Sequence, residues 1–180
     1  MNHFPSFPFI REDKTAKSLS FFCESGIRQV SYDVIRELKG IAKKEKTNVR
    51  ILLHPSPDSE LHSMVILQLS GTYNRPHYHK NKSETHHLIE GSQRIFLFDD
   101  KGSVIERCDM SMDSIMVYRF EKGYYHMSVP TSELVIVHES RKGPFVSGGD
   151  SIFAEWAPVK EDVEEVKKFT SKLVEPETTL

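Results

Sequence analysis

Residues 71–91 read GTYNRPHYHKNKSETHHLIEG, and this stretch carries the most informative pattern of the sequence. His77 and His79 are two positions apart, so on a β-strand their side chains face the same side, with Cα atoms about 6–7 Å apart. The polar residues 80–83 are expected to reverse the chain, which lets Glu84 on the returning strand meet the two imidazoles. Glycines at both ends of the stretch stand where turns are needed. The spacing therefore predicts two imidazoles and one carboxylate at one point.

A third imidazole is expected from His126, which follows a predicted glycine turn at Gly123. With His77, His79 and Glu84 it offers three neutral nitrogens and one carboxylate oxygen. This donor set suits one divalent transition metal ion per chain, namely Fe, Mn, Ni, Co or Zn. Each of these histidines taken alone is more often a surface or hydrogen-bonded residue than a ligand. The metal prediction therefore depends on the joint pattern.

The flanking sequence is typical of a β protein. Short runs rich in β-branched and aromatic residues, separated by turn signals, predict strands over 49–53, 63–70, 75–80, 84–90, 93–98, 103–108, 114–120, 124–129 and 133–139. Apolar residues at helical spacing predict one helix over 31–46, with Ser31 as its N-cap, and a second over 159–174. Residues 1–30 are expected to form an irregular arm. Many short strands at close spacing indicate a mainly β sandwich or barrel and not alternating β–α units.

The length of 180 residues and the mass of 20.8 kDa suit one ordinary domain with appended segments. The predicted organisation is an N-terminal arm and helix over 1–48, a β-barrel over 49–158, and a C-terminal helix and tail over 159–180.

Composition narrows the class of protein. A formal net charge of −2 argues against a nucleic-acid binder that works by bulk electrostatics, and 38% hydrophobic residues can fill a core. Two cysteines, Cys23 and Cys108, cannot make a disulfide framework, and neither sits in a CxxC pair. We see no secretory signal and no apolar run long enough to span a membrane. The expected location is the cytoplasm.

The histidine pattern resembles the cupin superfamily. Its first motif, Gly-x5-His-x-His-x4-Glu-x6-Gly, has every anchor present between Gly71 and Gly91. Its second motif is partial: Gly123 and His126 match, Glu121 stands where proline is usual, and Pro130 replaces an asparagine. The resemblance implies a cupin-type double-stranded β-helix, also called a jelly-roll barrel, with an N-terminal and a C-terminal helix.

A closer resemblance, across roughly residues 47–160, is to the WbuC family of small cupin-fold metalloproteins. It is carried by Arg50–His54, Met64, Tyr73–His79, Lys82–Gly91, Phe98–Gly102, Lys142–Phe145 and Trp156–Pro158. Members of this family are often associated with bacterial O-antigen and other surface-polysaccharide loci. The resemblance implies a metal and a sugar-related role, and it implies no particular reaction.

Further residues are candidates for contact with a ligand. His86 has the strand parity of Glu84 and is expected to point into the barrel, either as a catalytic base or substrate contact, or as a core histidine bonded to a backbone carbonyl. Tyr73, Arg94 and Tyr118 are candidates to bind an anionic or sugar ligand. For these three, cross-strand packing or a solvated face is the alternative interpretation.

These observations leave several functions open. The first is a metalloenzyme acting on a sugar or sugar-derived small molecule, with the metal as Lewis acid for isomerase- or epimerase-type chemistry. The alternatives are an Fe(II)-dependent oxygenase and a non-catalytic, metal-stabilised sugar-binding or scaffold module. Sheet edges that need cover predict a homodimer.

Overall fold

The computed structural model describes residues 10–16, 18–24, 28–146 and 149–174. The helices are α1 (Tyr32–Glu45) and α2 (Val163–Val174). The strands are β1 (Ile10–Glu12), β2 (Leu19–Cys23), β3 (Val49–Leu52), β4 (Leu61–Leu69), β5 (His77–Tyr78), β6 (Glu84–Glu90), β7 (Ser92–Phe98), β8 (Val104–Ser111), β9 (Val117–Phe120), β10 (Tyr125–Pro130), β11 (Leu134–Lys142) and β12 (Ile152–Phe153).

The strands of the described residues form two sheets that pack face to face. One sheet has seven strands in the order β1-β2-β3-β4-β11-β6-β9, and the other has five in the order β12-β5-β10-β7-β8. Neighbouring strands are antiparallel except β2 and β3, which pair in parallel. This arrangement of two antiparallel sheets is a jelly roll, in which each strand has one face toward the space between the sheets.

Helix α1 covers the outer face of the seven-stranded sheet. Its apolar stripe packs against buried outward-facing strand residues such as Leu67 and Ile136. The predicted N-cap Ser31 is confirmed, since its hydroxyl accepts a hydrogen bond from the Val34 amide at 3.4 Å. The apolar residues whose helical spacing predicted this helix are all buried: Val34, Ile35, Leu38, Ile41 and Ala42. The sequence periodicity thus predicted both the helix and the face that it buries.

The interior between the sheets is apolar toward one end and polar toward the other. The apolar part contains Leu88, Ile95, Met110 and Val137. The polar part contains Glu84, His86 and other buried charged side chains. On the far side of the five-stranded sheet, α2 packs Phe169 and Leu173 against Phe96, Phe98 and Trp156.

The nine predicted strands and two predicted helices are present. Strand β12 is an additional strand that was not predicted, and three further details differ. In the described part of the arm expected over 1–30, β1 and β2 extend the seven-stranded sheet, and residues 1–9, 17 and 25–27 of that arm lie outside the described residues. Helix α2 begins at Val163 and not at residue 159. Strand β5 is only two residues long, so His79 follows the strand and is not part of it.

Candidate metal centre

Three histidines converge between the two sheets. His77 on β5 lies directly opposite His126 on β10 in the antiparallel register, and their ring centroids are 4.5 Å apart. The ring of His79 lies 5.2 Å from that of His77 and 5.5 Å from that of His126. One ring nitrogen from each of the three can be chosen so that all lie within 4.8 Å of one another. The structure therefore brings together the three histidines expected from the sequence.

Glu84 faces these histidines from the opposite sheet. Strand β5 belongs to the five-stranded sheet and β6 to the seven-stranded one, so residues 79–83 cross the barrel between the sheets. Glu84 Oε1 lies 2.9 Å from His79 Nε2, and Glu84 Oε2 lies 3.4 Å from His126 Nε2. The side chain of Glu84 is only 4% exposed, so its charge is removed from solvent.

Backbone carbonyls orient all three imidazoles. His77 Nδ1 lies 3.0 Å from the carbonyl oxygen of Arg75, and His126 Nδ1 lies 3.1 Å from that of Tyr124. His79 Nδ1 is hydrogen-bonded to the carbonyl of Asp150. Because a carbonyl only accepts, each Nδ1 carries the hydrogen, and Nε2 of the neutral ring keeps a lone pair. This is the orientation that metal-binding histidines adopt when a carbonyl fixes the tautomer.

Hydrogen-bond acceptors that face one another in this centre require a cation between them. The Nε2 lone pairs of His79 and His126 point at the carboxylate of Glu84, so acceptor meets acceptor at 2.9 Å and 3.4 Å. Such contacts are favourable only when a proton or a metal ion lies between the atoms. Three imidazole nitrogens and one carboxylate oxygen are ligands that first-row transition metals accept. The residues present therefore fit a divalent transition metal.

Electrostatics keep His77 and Glu84 in the states that a metal needs. At His79 burial lowers the pKa, but the hydrogen bond and charge of Glu84 outweigh it and raise that pKa, so a metal competes with a proton at this ring. Burial, aided by the neighbouring His126, lowers the pKa of His77 to about 3, so this ring is neutral at pH 7. Burial raises the pKa of Glu84, but the imidazoles of His126, His79 and His86, which stabilise the carboxylate whenever they carry a proton toward it, outweigh burial and hold that pKa well below its usual range. Glu84 is consequently a carboxylate throughout the physiological range.

A second buried group borders the first. His86 points inward, as its strand parity predicted, and His87 is exposed. His86 Nε2 lies 3.9 Å from Glu84 Oε2 and 3.6 Å from Glu139 Oε2, and it has no hydrogen-bond partner among the described residues. Its Nδ1 lies 3.3 Å from the side-chain amide nitrogen of Gln93. Glu139 is the cross-strand partner of His86, which places the two side by side.

Sequence reasoning did not identify the charged residues around the centre. Arg141 Nη1 lies 2.8 Å from Glu84 Oε1 and 3.1 Å from His79 Nε2. Lys82 donates hydrogen bonds to the carboxylate of Asp150 and, at 2.6 Å, to the Pro144 carbonyl. A signal did exist for β11, because Glu139 and Arg141 continue the alternation of the buried residues Val135 and Val137. Charged residues in phase with buried valines point into the barrel.

The three residues predicted to contact substrate lie in different places. The Tyr73 hydroxyl donates to the Pro158 carbonyl at 3.0 Å, and Arg94 Nε lies 2.5 Å from Asp109. Tyr118 lines a surface pocket of about 250 Å³ together with Phe120. The Phe120 ring is also 4.6 Å from that of His126. Of the three, Tyr118 is therefore the residue that lies near the histidines, with Phe120 between them.

Neither helix in the described part of the chain has the length and hydropathy needed to cross a membrane.

Comparisons with known proteins give one sequence family and a common fold. Residues 32–110, less than half of the chain, match a family described as a domain of unknown function, DUF6016. A search of the curated proteins found no match.

Similar solved structures include CapF, the capsular polysaccharide assembling protein of Staphylococcus aureus, with a TM-score of 0.51 and 19% identity over 61% of this chain and 30% of CapF. CapF with the inhibitor 3-isopropenyl-tropolone gives a TM-score of 0.50 and 19% identity over 61% of this chain and 31% of that one. Oxalate decarboxylase from Bacillus subtilis gives a TM-score of 0.47 and 18% identity over 59% of this chain and 27% of that one. The match thus spans under a third of the length of each of these proteins. With two facing antiparallel sheets and a helix on each side, the chain has the cupin-type jelly-roll fold.

Proposed function

We propose that this protein is a metal-binding cupin that holds one divalent transition metal ion through His77, His79, Glu84 and His126. One observation carries the proposal. Carbonyls fix the Nδ1 hydrogens of all three imidazoles, so the Nε2 lone pairs are left for a cation that Glu84 also faces. A structural core histidine needs no such convergence of acceptors.

We further propose that the protein is a metalloenzyme acting on a sugar or sugar-derived small molecule in bacterial surface-polysaccharide biosynthesis. Support comes from the WbuC-like sequence and from CapF, which is described as a capsular polysaccharide assembling protein. When bound, the metal would supply Lewis acidity toward a carbonyl or hydroxyl oxygen of the substrate. His86, with its Nε2 facing Glu84 and Glu139, is placed to move a proton in isomerase- or epimerase-type chemistry.

Two other functions make different predictions for the same centre. An Fe(II)-dependent oxygenase requires iron, whereas isomerase-type chemistry suits zinc or manganese. A non-catalytic sugar-binding or scaffold module requires the metal only for stability or for holding the sugar. His77 is only partly buried whereas His79 and His126 are buried, which supports approach of a ligand from the side of His77.

Elemental analysis of protein purified without added metal tests the proposal. We expect about one equivalent of a transition metal in the wild type and loss of most of it in His77→Ala and Glu84→Ala. His87→Ala, an exposed neighbour on β6, is the control and should keep its metal. Glu84→Gln serves if Glu84→Ala does not fold. Wild-type protein without metal, or His77→Ala with full metal content, would contradict the proposal.

The predicted homodimer also stays a proposal. Light scattering after size exclusion should give twice the chain mass of 20.8 kDa, and a monomer would refute it.

A further inference from the structure

The charged side chains around the centre cancel one another. Carboxylates from Glu84, Glu139 and Asp150 and cations from Arg50, Lys82 and Arg141 form one buried cluster of the described residues. Glu84, Glu139, Asp150 and Lys82 are each at most 8% exposed, and the side chain of Arg141 is 13% exposed. The formal charges of these six side chains, three negative and three positive, cancel.

A divalent metal ion changes that balance. The three histidines are neutral ligands, and the charge of Glu84 is already matched by that of Arg141. The metal therefore adds two positive charges to a region largely withdrawn from solvent, where unpaired charge is costly. This argument rests on the metal binding proposed above. It implies that the loaded centre gains most from a ligand that brings negative charge.

Arg141 is the residue placed to receive such a ligand. Its Nη1 lies 3.1 Å from His79 Nε2, whose single lone pair can accept from Arg141 or bind a metal, but not both. Metal binding therefore releases one N–H of Arg141 beside the centre. Arg141 Nε is buried and has no hydrogen-bond partner among the described residues, so a second donor is available. These two N–H groups point in different directions, so each can give one charge-assisted hydrogen bond to a carboxylate oxygen placed beside it.

We propose that the metal-loaded centre binds a small carboxylate-bearing ligand, such as a sugar acid, and that Arg141 holds its carboxylate. A neutral sugar offers the metal only hydroxyl oxygens and leaves both the added charge and the released donors of Arg141 unmatched. A carboxylate on the ligand balances the added charge and also accepts hydrogen bonds from Arg141. Arg141 is thus the residue that selects for charge at this centre.

The first test compares two ligands that differ in the carboxylate. Protein is loaded with Co²⁺, freed of excess metal and titrated with glycolate or ethylene glycol, while the visible absorption of Co²⁺ and the heat of binding are recorded. We expect glycolate to bind at least tenfold more tightly than ethylene glycol, and D-glucuronate more tightly than D-glucose. Equal affinities within each pair would overturn the inference. Protein that takes up no Co²⁺ would instead overturn the metal proposal, so the two failures are distinguishable.

The second test changes Arg141. Arg141→Met should keep one Co²⁺ per chain, because the competitor for His79 Nε2 is gone, and should bind glycolate at least tenfold more weakly. Arg141→Lys keeps the positive charge but lacks the guanidinium group. Its affinity for glycolate should lie between those of the wild type and Arg141→Met. Arg107→Met removes a surface arginine paired with Asp109 and should behave like the wild type. Unchanged glycolate affinity in Arg141→Met, or loss of its metal, would contradict the role given to Arg141.

Discussion

His77 and His126, 49 positions apart in the sequence, are directly opposed across the ladder between β5 and β10. Residues opposed in this way project from the same face of a sheet, which is why two imidazoles meet at a centroid distance of 4.5 Å. Glu84 completes the set from the other sheet. The centre therefore links the two sheets of the barrel, and its loss should lower the stability of the whole fold.

Metal removal should lower the stability of the protein. A ligand that binds only the folded state adds about 2.7 kcal/mol when its free concentration is 100 times its Kd. We therefore expect the thermal unfolding midpoint to fall on treatment with EDTA and to recover when Zn²⁺, Mn²⁺ or Co²⁺ is restored. Scanning calorimetry checks this. His126→Ala should unfold at the same temperature with and without EDTA, and a persistent EDTA effect in that variant would indicate a different site.

Loss of the Lys82 ammonium should destabilise the fold. The side chain of Asp150 is 2% exposed and pairs with Lys82, so Lys82→Met leaves a buried carboxylate with one partner fewer. Breaking one side of a buried ion pair costs about 3–5 kcal/mol. Urea unfolding should show this loss in Lys82→Met and almost none in Lys80→Met, whose lysine is exposed. Equal stability of the two variants would mean that Asp150 is compensated by other groups.

Acid should destabilise the protein through His54. Burial lowers the pKa of His54 to about 4, below its ordinary value of 6.5, and its ring stacks on that of His62 at 4.1 Å. Between pH 6.5 and 4 the unfolded chain binds a proton that the folded protein does not, so stability falls as pH falls, by about 1.4 kcal/mol per pH unit.

The variant His54→Phe isolates this contribution. Urea unfolding of metal-free protein at pH 7 and pH 5 should show a smaller stability difference in His54→Phe than in the wild type. His87→Gln, at an exposed position, should leave the difference unchanged. An identical pH dependence in His54→Phe and wild type would show that His54 titrates normally.

Glycine at position 91 should be required for both conformation and space. Gly91 has φ +80°, and a Cβ there would lie 2.2 Å from the carbonyl oxygen of Leu134. Gly71 has φ +76°, but a Cβ there would meet nothing described within 4 Å. Gly71→Ala should cost about 1–2 kcal/mol from the left-handed conformation alone. Gly91→Ala should cost more, as measured by urea unfolding, and equal costs would show that the β11 backbone gives way easily.

Structural elements with local signals could be predicted from the sequence alone. Alternation over residues such as Glu84, His86 and Leu88 predicted which side chains of β6 face inward, because a strand places every second residue on one face. The apolar face of α1 could be predicted in the same way, since helix residues about 3.6 positions apart share a face. The four candidate ligands were also identified from sequence, because the pattern of residue types and glycines resembles a known motif.

The residues that surround those candidate ligands are set by long-range contacts. Arg141 meets Glu84 because β11 pairs with β6, and no local pattern specifies which strands become neighbours. Asp150 reaches His79 across 71 positions through a backbone carbonyl, a group that every residue carries and that no residue type reveals. Strand β2 was missed for the same reason, since it joins the sheet by pairing in parallel with β3. Local periodicity predicts which way a side chain points, whereas its partners depend on long-range packing.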